Sequence, residues 1–414
     1  LKRSLENLKN LKKKFSKAIK MKFTRRALIV FILLGLTSLT ADMVYEGARS
    51  VGGSYIEYLG GPAIGSAIAG SGDLIGYGLR FLSGVLASYL MSSTIIWIFT
   101  ITGYAIQVVA IPSLALTSSW QIATILYLAE RIGKGLRTPT RDFILAEVTE
   151  GIGRGKGFGI HEVMDQAGAV SGPVILALAI SLYGFSKSFL ILLIPGVISV
   201  ALIISSYILY PELESIKISR ELNKHSISFR GLGSRFWLFT LSMSLFAIGY
   251  VHWMIVSYYV YYWRILSEAD IGLAYALAMF TDALIALPIG LLYDKIRFNT
   301  LYMAPIAGLV ATATLLLSPY YGGSMVFISA GFWGVAMGCY ETIMRASIAD
   351  LVDPEKRALA YGTFGLIFGL AWTAGSFIYA FLLSISTYLV LIYTVATQMF
   401  SIIFLMPLNK KDLI

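Results

Sequence analysis

The chain has 414 residues, 57% of them hydrophobic and 14% charged, with a mean hydropathy of +0.75. Water-soluble domains carry about 25% charged residues, so this composition excludes one and identifies an integral membrane protein. One cysteine, Cys339, excludes an intrachain disulfide and a cysteine-cluster metal site, and His161, His225 and His252 have no ligand spacing. The net charge of +10 does not indicate nucleic acid, because 11 of the 33 Lys and Arg fall in the first 26 residues, directly ahead of an apolar run.

Residues 1–26 therefore read as a basic cytoplasmic segment, with contact to anionic lipid as a second role. Within it, Leu1 to Lys20 is Lys-rich and weakly amphipathic; Met21 reads as a start of the core, and loss of what precedes it is expected to change little. Residues 27–41 lack a small-residue cleavage pattern, so the first span is expected to be retained. A crossing takes about 20 residues, and such windows fall at 27–48, 62–89, 93–114, 119–141, 156–181, 187–209, 236–260, 271–293, 300–319, 324–347, 358–383 and 387–407. Twelve spans put both termini on one side. The loops on that side hold most loop Lys and Arg, which makes it the cytoplasmic side of a cell membrane. The one long polar insert, 210–235, divides an amino-terminal six-span half (27–209) from a carboxy-terminal one (236–407), with a tail at 408–414.

Ionisable residues inside spans are costly and face protein or water, so they mark the candidate path. In the first span Asp42, Glu46 and Arg49 share one face toward its outer end. They carry a proton or grip an ion, or else Arg49 only neutralises the two acids. The second span aligns Asp73, Tyr77 and Arg80, and Asp73 at mid-depth needs Arg80 or another cation to offset its burial. Its stripe Gly61, Gly65, Ala69, Gly72 and Gly76 is a packing face. In the fourth span Glu130, Lys134, Arg137 and Arg141 descend in steps of four, three and four, beside Arg131. This is a funnel for anions, or a set of partners for nearby acids. The fifth span pairs His161 with Asp165 and adds Glu162 and Gln166; the pair suits a coupling proton, or a helix–helix hydrogen bond. The proton-coupling candidates are thus Asp42, Glu46, Asp73, Glu130, His161 and Asp165.

Tyr258, Tyr259, Tyr261, Tyr262 and Trp263 close the seventh span as an interfacial belt or a substrate cage. The second half is poorer in charge, offering His252, Asp282, Glu341 and Arg345, with Trp253, Trp333 and Tyr340 as aromatic wall. A cavity so lined accepts an amphipathic solute with one polar end. The halves repeat: Arg154, Phe158, Gly159 and Gly172 match Arg357, Tyr361, Gly362 and Gly375 at an offset of 203, and a one-residue shift sets Arg141 against Arg345. Two related bundles around one cavity are what an alternating-access transporter needs.

These features resemble the major facilitator superfamily over residues 27–407. Gly159, Gly168 and Gly172-Pro173 resemble its fifth-span antiporter motif, with Leu176 and Ala177 where paired glycines usually stand. Arg131 and Gly135 resemble its fourth-span motif. Gly290, Asp294 and Lys295 resemble its cytoplasmic gate, with Arg297 in place of a later glycine; in the first half Gly84 survives while Ser88 and Tyr89 replace the acid and base, leaving Arg80 or the Arg141–Asp142 pair to substitute. The resemblance implies an all-α membrane protein of two six-helix bundles, and a proton-coupled antiporter that exports a small amphipathic solute or drug. An uptake symporter or uniporter for an organic anion is the alternative, and a non-transporting sensor or scaffold a third. Expected partners are the solute, protons and membrane lipid, with no nucleic acid, for a monomer. No nucleotide loop, metal spacing or activated nucleophile is present, so neither enzyme activity nor a cofactor is expected.

Overall fold

The computed structural model describes residues 25–90, 92–213, 232–353 and 356–409. Most of the basic segment 1–26, of the insert 210–235 and of the tail 408–414 lies outside these residues. Among the described residues all regular structure is helical, as a membrane interior demands when no water is present to satisfy the backbone.

The first span is α1 (Arg25–Ser50) continued by α2 (Gly52–Tyr58), and the second is α3 (Ala63–Gly70) and α4 (Gly72–Leu90), parted at Ser71. Then follow α5 (Ser93–Ser113), α6 (Trp120–Val148), α7 (Arg154–Tyr183), the short α8 (Phe185–Ser188) and α9 (Leu193–Leu209). The second half holds α10 (Ser234–Ile248), α11 (Trp253–Tyr262), α12 (Glu268–Ile296), α13 (Met303–Tyr321), α14 (Ser324–Cys339), α15 (Arg345–Leu351), α16 (Arg357–Ile385) and α17 (Thr387–Leu405). Because the first span runs to Tyr58, Asp42, Glu46 and Arg49 stand in its middle, not toward the outer end as the window 27–48 implied.

Among the described residues nine stretches are long and apolar enough to cross a membrane, and Glu268–Tyr321 covers two of the expected spans, so ten of twelve are accounted for on hydropathy. The two that fail the test are the second and fourth. They carry Asp73 and Arg80, and Glu130 to Arg141, and all of these charges but Glu130 line the cavity.

The halves share one internal arrangement. In the first, α1 packs on α7 and α9, and α4 and α5 pack on α6; in the second, α10 packs on α16 and α17, and α12 and α13 pack on α14. The seventh span breaks between Gly249 and His252, where the His252 ring caps α11 by accepting from the Met254 N–H at 3.1 Å. The tenth contains a π turn, Tyr340–Met344. Such a turn adds one residue to a helix, which explains the slip in the repeat. Gly135 and Gly338, ahead of it, are 203 apart; Arg141 and Arg345, behind it, are 204 apart.

Between the halves, α7 packs on α12, and α16 on α3 and α4. The end farthest from Arg25 is sealed where α2 and α3 meet α11. There the Gly53 N–H donates to Ser257 Oγ at 3.1 Å, and a Cβ on Gly53 would lie 1.7 Å from the Met254 carbonyl, so only glycine permits this approach. Trp253 adds a bond from its indole N–H to the Ser50 carbonyl at 2.8 Å. A cavity of about 750 Å³ lies below this seal, its wall running from Arg49 and Asp73 down to Arg141, Phe158, Ile348 and Tyr361 at the end where Arg25 enters.

Candidate functional site

At the sealed end of the cavity, Asp73 of α4 is held by Arg49 Nη2 at 2.9 Å, Arg131 Nη1 at 3.3 Å and His252 Nε2 at 3.0 Å. His252 Nδ1 already accepts from Met254, so in the neutral ring Nε2 carries the proton and donates it to Asp73. The network joins four spans, and only His252 comes from the second half. Two alternatives left open by the sequence are decided here. Asp73 is offset by Arg49 and Arg131, whereas Arg80 lies over the Tyr77 ring; and Arg49 turns to Asp73 instead of neutralising Asp42 and Glu46. Distance along the chain hides such cross-helix pairs.

Glu130, expected deepest on the polar face, does not line the cavity. It bonds Arg131 Nε through Oε2 at 3.2 Å, and its Oε1 is buried without a partner. Arg137 touches the cavity wall, but its guanidinium bonds Gln107 of α5 and lies 4.6 Å from the centre of the Tyr104 ring. The descending charges of the fourth span are therefore divided among neighbours. Lys134 is the exception: its Nζ sits 3.6 Å from the centre of the Tyr45 ring, with no carboxylate in ion-pair reach among the described residues. A cation over an aromatic face keeps its charge available to a ligand.

Asp42 and Glu46 both line the cavity. Glu46 accepts the Tyr275 hydroxyl of α12 at 2.5 Å, a bond between the halves. Asp42 has no cation within ion-pair distance among the described residues. A second cross-half bond joins the Tyr77 and Tyr340 hydroxyls at 2.5 Å, with Tyr340 stacked on Phe368 at 4.4 Å.

Nearer the open end, Arg141 bonds Asp142 at 2.8 Å and Ser38 Oγ at 3.0 Å and reaches Asp165 at 3.6 Å. His161 lies 3.5 Å from Asp165 through Nδ1 and 2.9 Å from Ser38 Oγ through Nε2. All these groups belong to the first half, so the Arg141–Asp142 pair does not bridge the bundles as a substitute gate would. From the second half, Asp282, Glu341 and Arg345 reach the cavity, facing Glu162 and Gln166.

Several other expectations are redrawn. Trp253 and Trp333 are not cavity wall but sealed core, 1% and 0% exposed, with Trp333 donating to the Val251 carbonyl at 2.9 Å. His252 likewise belongs to the seal, not to the cavity wall. Tyr259 and Tyr261 are buried, Tyr262 and Trp263 exposed, and none of the tyrosines that close the seventh span lines the cavity. Of the antiporter-motif positions, Gly168 and Gly172 are sites of close approach: added Cβ atoms would lie 2.2 Å from the Leu39 carbonyl and 2.4 Å from that of Met43. Gly159 has open space, and Pro173 continues α7. Gly135 packs α6 on Leu79 and Gly76 of α4. Gly84 lies in α4, where the surrounding side chains fall outside those described.

At the second-half gate, Asp294 and Lys295 are exposed, and a Cβ added at Gly290 would lie an ordinary 3.6 Å from the Thr342 side chain. The ion pair there is made by Arg297, which reaches Asp350 at 2.9 Å. Arg297 holds φ +52°, in the region glycine favours. Contributors that escaped the sequence reading include Ser38, Tyr45, Tyr275 and Gln107. Only Gln107 left a usable signal, a lone amide in an otherwise apolar span.

Two pseudo-symmetric bundles around one charged cavity, sealed at one end and open at the other, are the architecture of a secondary transporter for a small solute. The sequence model of the Major Facilitator Superfamily matches residues 241–413. An uncharacterized protein of Mycobacterium tuberculosis, Rv2265, is 32% identical over 383 residues, 91% of this chain and 92% of that one. An uncharacterized MFS-type transporter of Methanocaldococcus jannaschii, MJ1317, is 27% identical over 375 residues, 87% and 90% of the two chains. Among solved structures, the nucleoside transporter NupG superposes with a TM-score of 0.73 at 15% identity, covering 94% of this chain and 100% of its own. The peptide transporter POT in complex with sulfate gives 0.68 at 13%, covering 92% and 93%. The chain belongs to the major facilitator superfamily, and it is a transporter, not an enzyme.

Proposed function

We propose that this transporter carries a small organic solute bearing an anionic group, and that it takes the solute up together with protons. The observation that carries this reading is Lys134. Most other basic groups of the cavity are committed to protein partners, Arg49 and Arg131 to Asp73 and Arg141 to Asp142 and Asp165. Lys134 and Arg80 rest only on tyrosine rings. Strong ion pairs are held at a few kcal/mol each when one partner is removed, whereas a cation on a ring can turn to an incoming anion.

Asp42 is the proposed proton carrier. It faces the cavity without an ion pair to break, unlike Asp73 and Glu130, and Glu46 and the His161–Asp165 pair lie along the same wall. The export reading rested on the fifth-span glycines. Their close contacts with Leu39 and Met43 give Gly168 and Gly172 a packing role that holds for either direction of transport. The solved transporters of like fold are named for nucleosides and peptides, and these are solutes rather than drugs. Loop charge puts both termini in the cytoplasm, so the cavity faces inward, with the half boundary in 210–235.

The test uses the purified protein in liposomes that contain a pH-sensitive dye. Adding small carboxylates outside, with a membrane potential clamped to zero, is expected to acidify the interior as the anion enters. Asp42→Asn should retain anion entry by exchange while abolishing the acidification. Alkalinisation during uptake would establish exchange against protons instead, and entry of the anion with no pH change in the unmodified protein would refute proton coupling.

A further inference from the structure

Asp42 and Glu46 of α1 and Arg345 aside, the cavity charges that no protein partner of opposite sign pairs are sorted by sign across the cavity. On the α4 and α6 side are Arg80 and Lys134. On the α7, α12 and π-turn side are Glu162, Asp282 and Glu341, which sense one another's charge and have no Lys or Arg in ion-pair reach among the described residues. Arg345 follows Glu341 by four residues and lies close enough to act on it electrostatically, but forms no ion pair with it and is exposed. Asp282 is 3% exposed yet lines the cavity, against Gly338, whose missing Cβ leaves room for it. A carboxylate so enclosed and aimed into a void is costly without a positive partner.

Unpartnered polar atoms follow the same division. Arg80 Nε, a donor, is buried without a hydrogen-bond partner on the basic side, and Gln166 Oε1, an acceptor one turn from Glu162, is buried without one on the acidic side. A ligand with one negative end alone would satisfy the first and leave the second. Met279, Phe364 and Trp372 supply apolar wall for the body of the solute, and 750 Å³ is in the range of cavities that enclose small organic ligands.

We infer that the solute is a zwitterion, its anionic group held by Lys134 and Arg80 and its cationic group by Asp282, Glu341 and Glu162. The inference rests on the anion-binding reading above and adds the second end. Specificity then comes from leaving charges unpaired against the wrong ligand: an anion lacking the amine leaves the acidic wall unmet, and a cation lacking the carboxylate leaves the basic wall unmet.

The experiment measures uptake and binding by the full-length protein for alanine, 4-aminobutanoate and alanyl-alanine, each beside its N-acetyl form, an anion, and its carboxamide, a cation. At least one zwitterion is expected to bind at least tenfold more tightly than both of its partners. Asp282→Asn is expected to lower that affinity tenfold or more, to the level of the N-acetyl form; Glu341→Gln provides the same test should Asp282→Asn not fold. Lys134→Gln is expected to weaken the zwitterion and the N-acetyl form alike. An N-acetyl form that binds as well as its zwitterion overturns the inference while leaving the anion reading intact. A preference for the carboxamides, or no binding by any member, overturns both.

Discussion

Replacing His252 by alanine is expected to loosen the seal without unfolding either half. The imidazole is the second half's contribution to the Asp73 network, donating from Nε2 at 3.0 Å, and its ring also lies 4.8 Å from that of Trp372. A buried hydrogen bond to a charged group contributes about 1.5–3 kcal/mol net. Asp73 keeps Arg49 and Arg131, both of the first half, so nearly all of this loss falls on the contact between halves. At about 1.4 kcal/mol per tenfold, the ratio of protein open at this end to sealed protein should rise about 10- to 100-fold. If the open form starts on the order of 1%, it becomes a visible fraction. Spin labels at Tyr58→Cys and Tyr320→Cys, exposed residues of opposite halves beside the seal, in a Cys339→Ser background, would report it as a second, longer distance. A distance distribution unchanged by His252→Ala would refute the reasoning. Asp73→Asn is the contrasting variant, since it strips the carboxylate from two guanidiniums at once and should cost about 3–5 kcal/mol of stability.

Two further outcomes follow from packing and backbone geometry. Gly168→Val should destabilise the first half by about 1–3 kcal/mol or more, because even a Cβ would lie 2.2 Å from the Leu39 carbonyl, whereas Gly159→Ala, with open space around it, should leave the detergent melting temperature close to that of the unmodified protein; equal melting temperatures for the two would refute the close-approach argument. At Arg297, φ +52° disfavours any side chain while the exposed pair with Asp350 contributes little. Arg297→Gly should therefore be more stable than Arg297→Ala by about 1 kcal/mol, read from their denaturation midpoints, and the reverse order would count against strain at this turn.

Composition alone decided that this chain lives in a membrane, and spacing alone decided much of its architecture. Twelve span-length windows, a parallel repeat at an offset of 203 and the excess of basic loops are all local or periodic signals, carried by each residue's own hydropathy and by its neighbours along one helix. For the same reason Asp42, Glu46, Arg80, Lys134, Glu162, Asp282 and Glu341 could be singled out as cavity groups before any fold was known: ions within apolar spans must face something polar. Which partner each one finds was decided by tertiary structure. Arg49 stands three residues from Glu46 in sequence but bonds Asp73 on another helix, and Arg137 leaves the polar face for Gln107 of α5. His252 and Trp253 read as cavity wall until the break at 249–252 turned them into the seal. A helix fixes what lies on one face; the charge left over for a solute depends on how several helices pair their ions, and that sum exists only once they are packed.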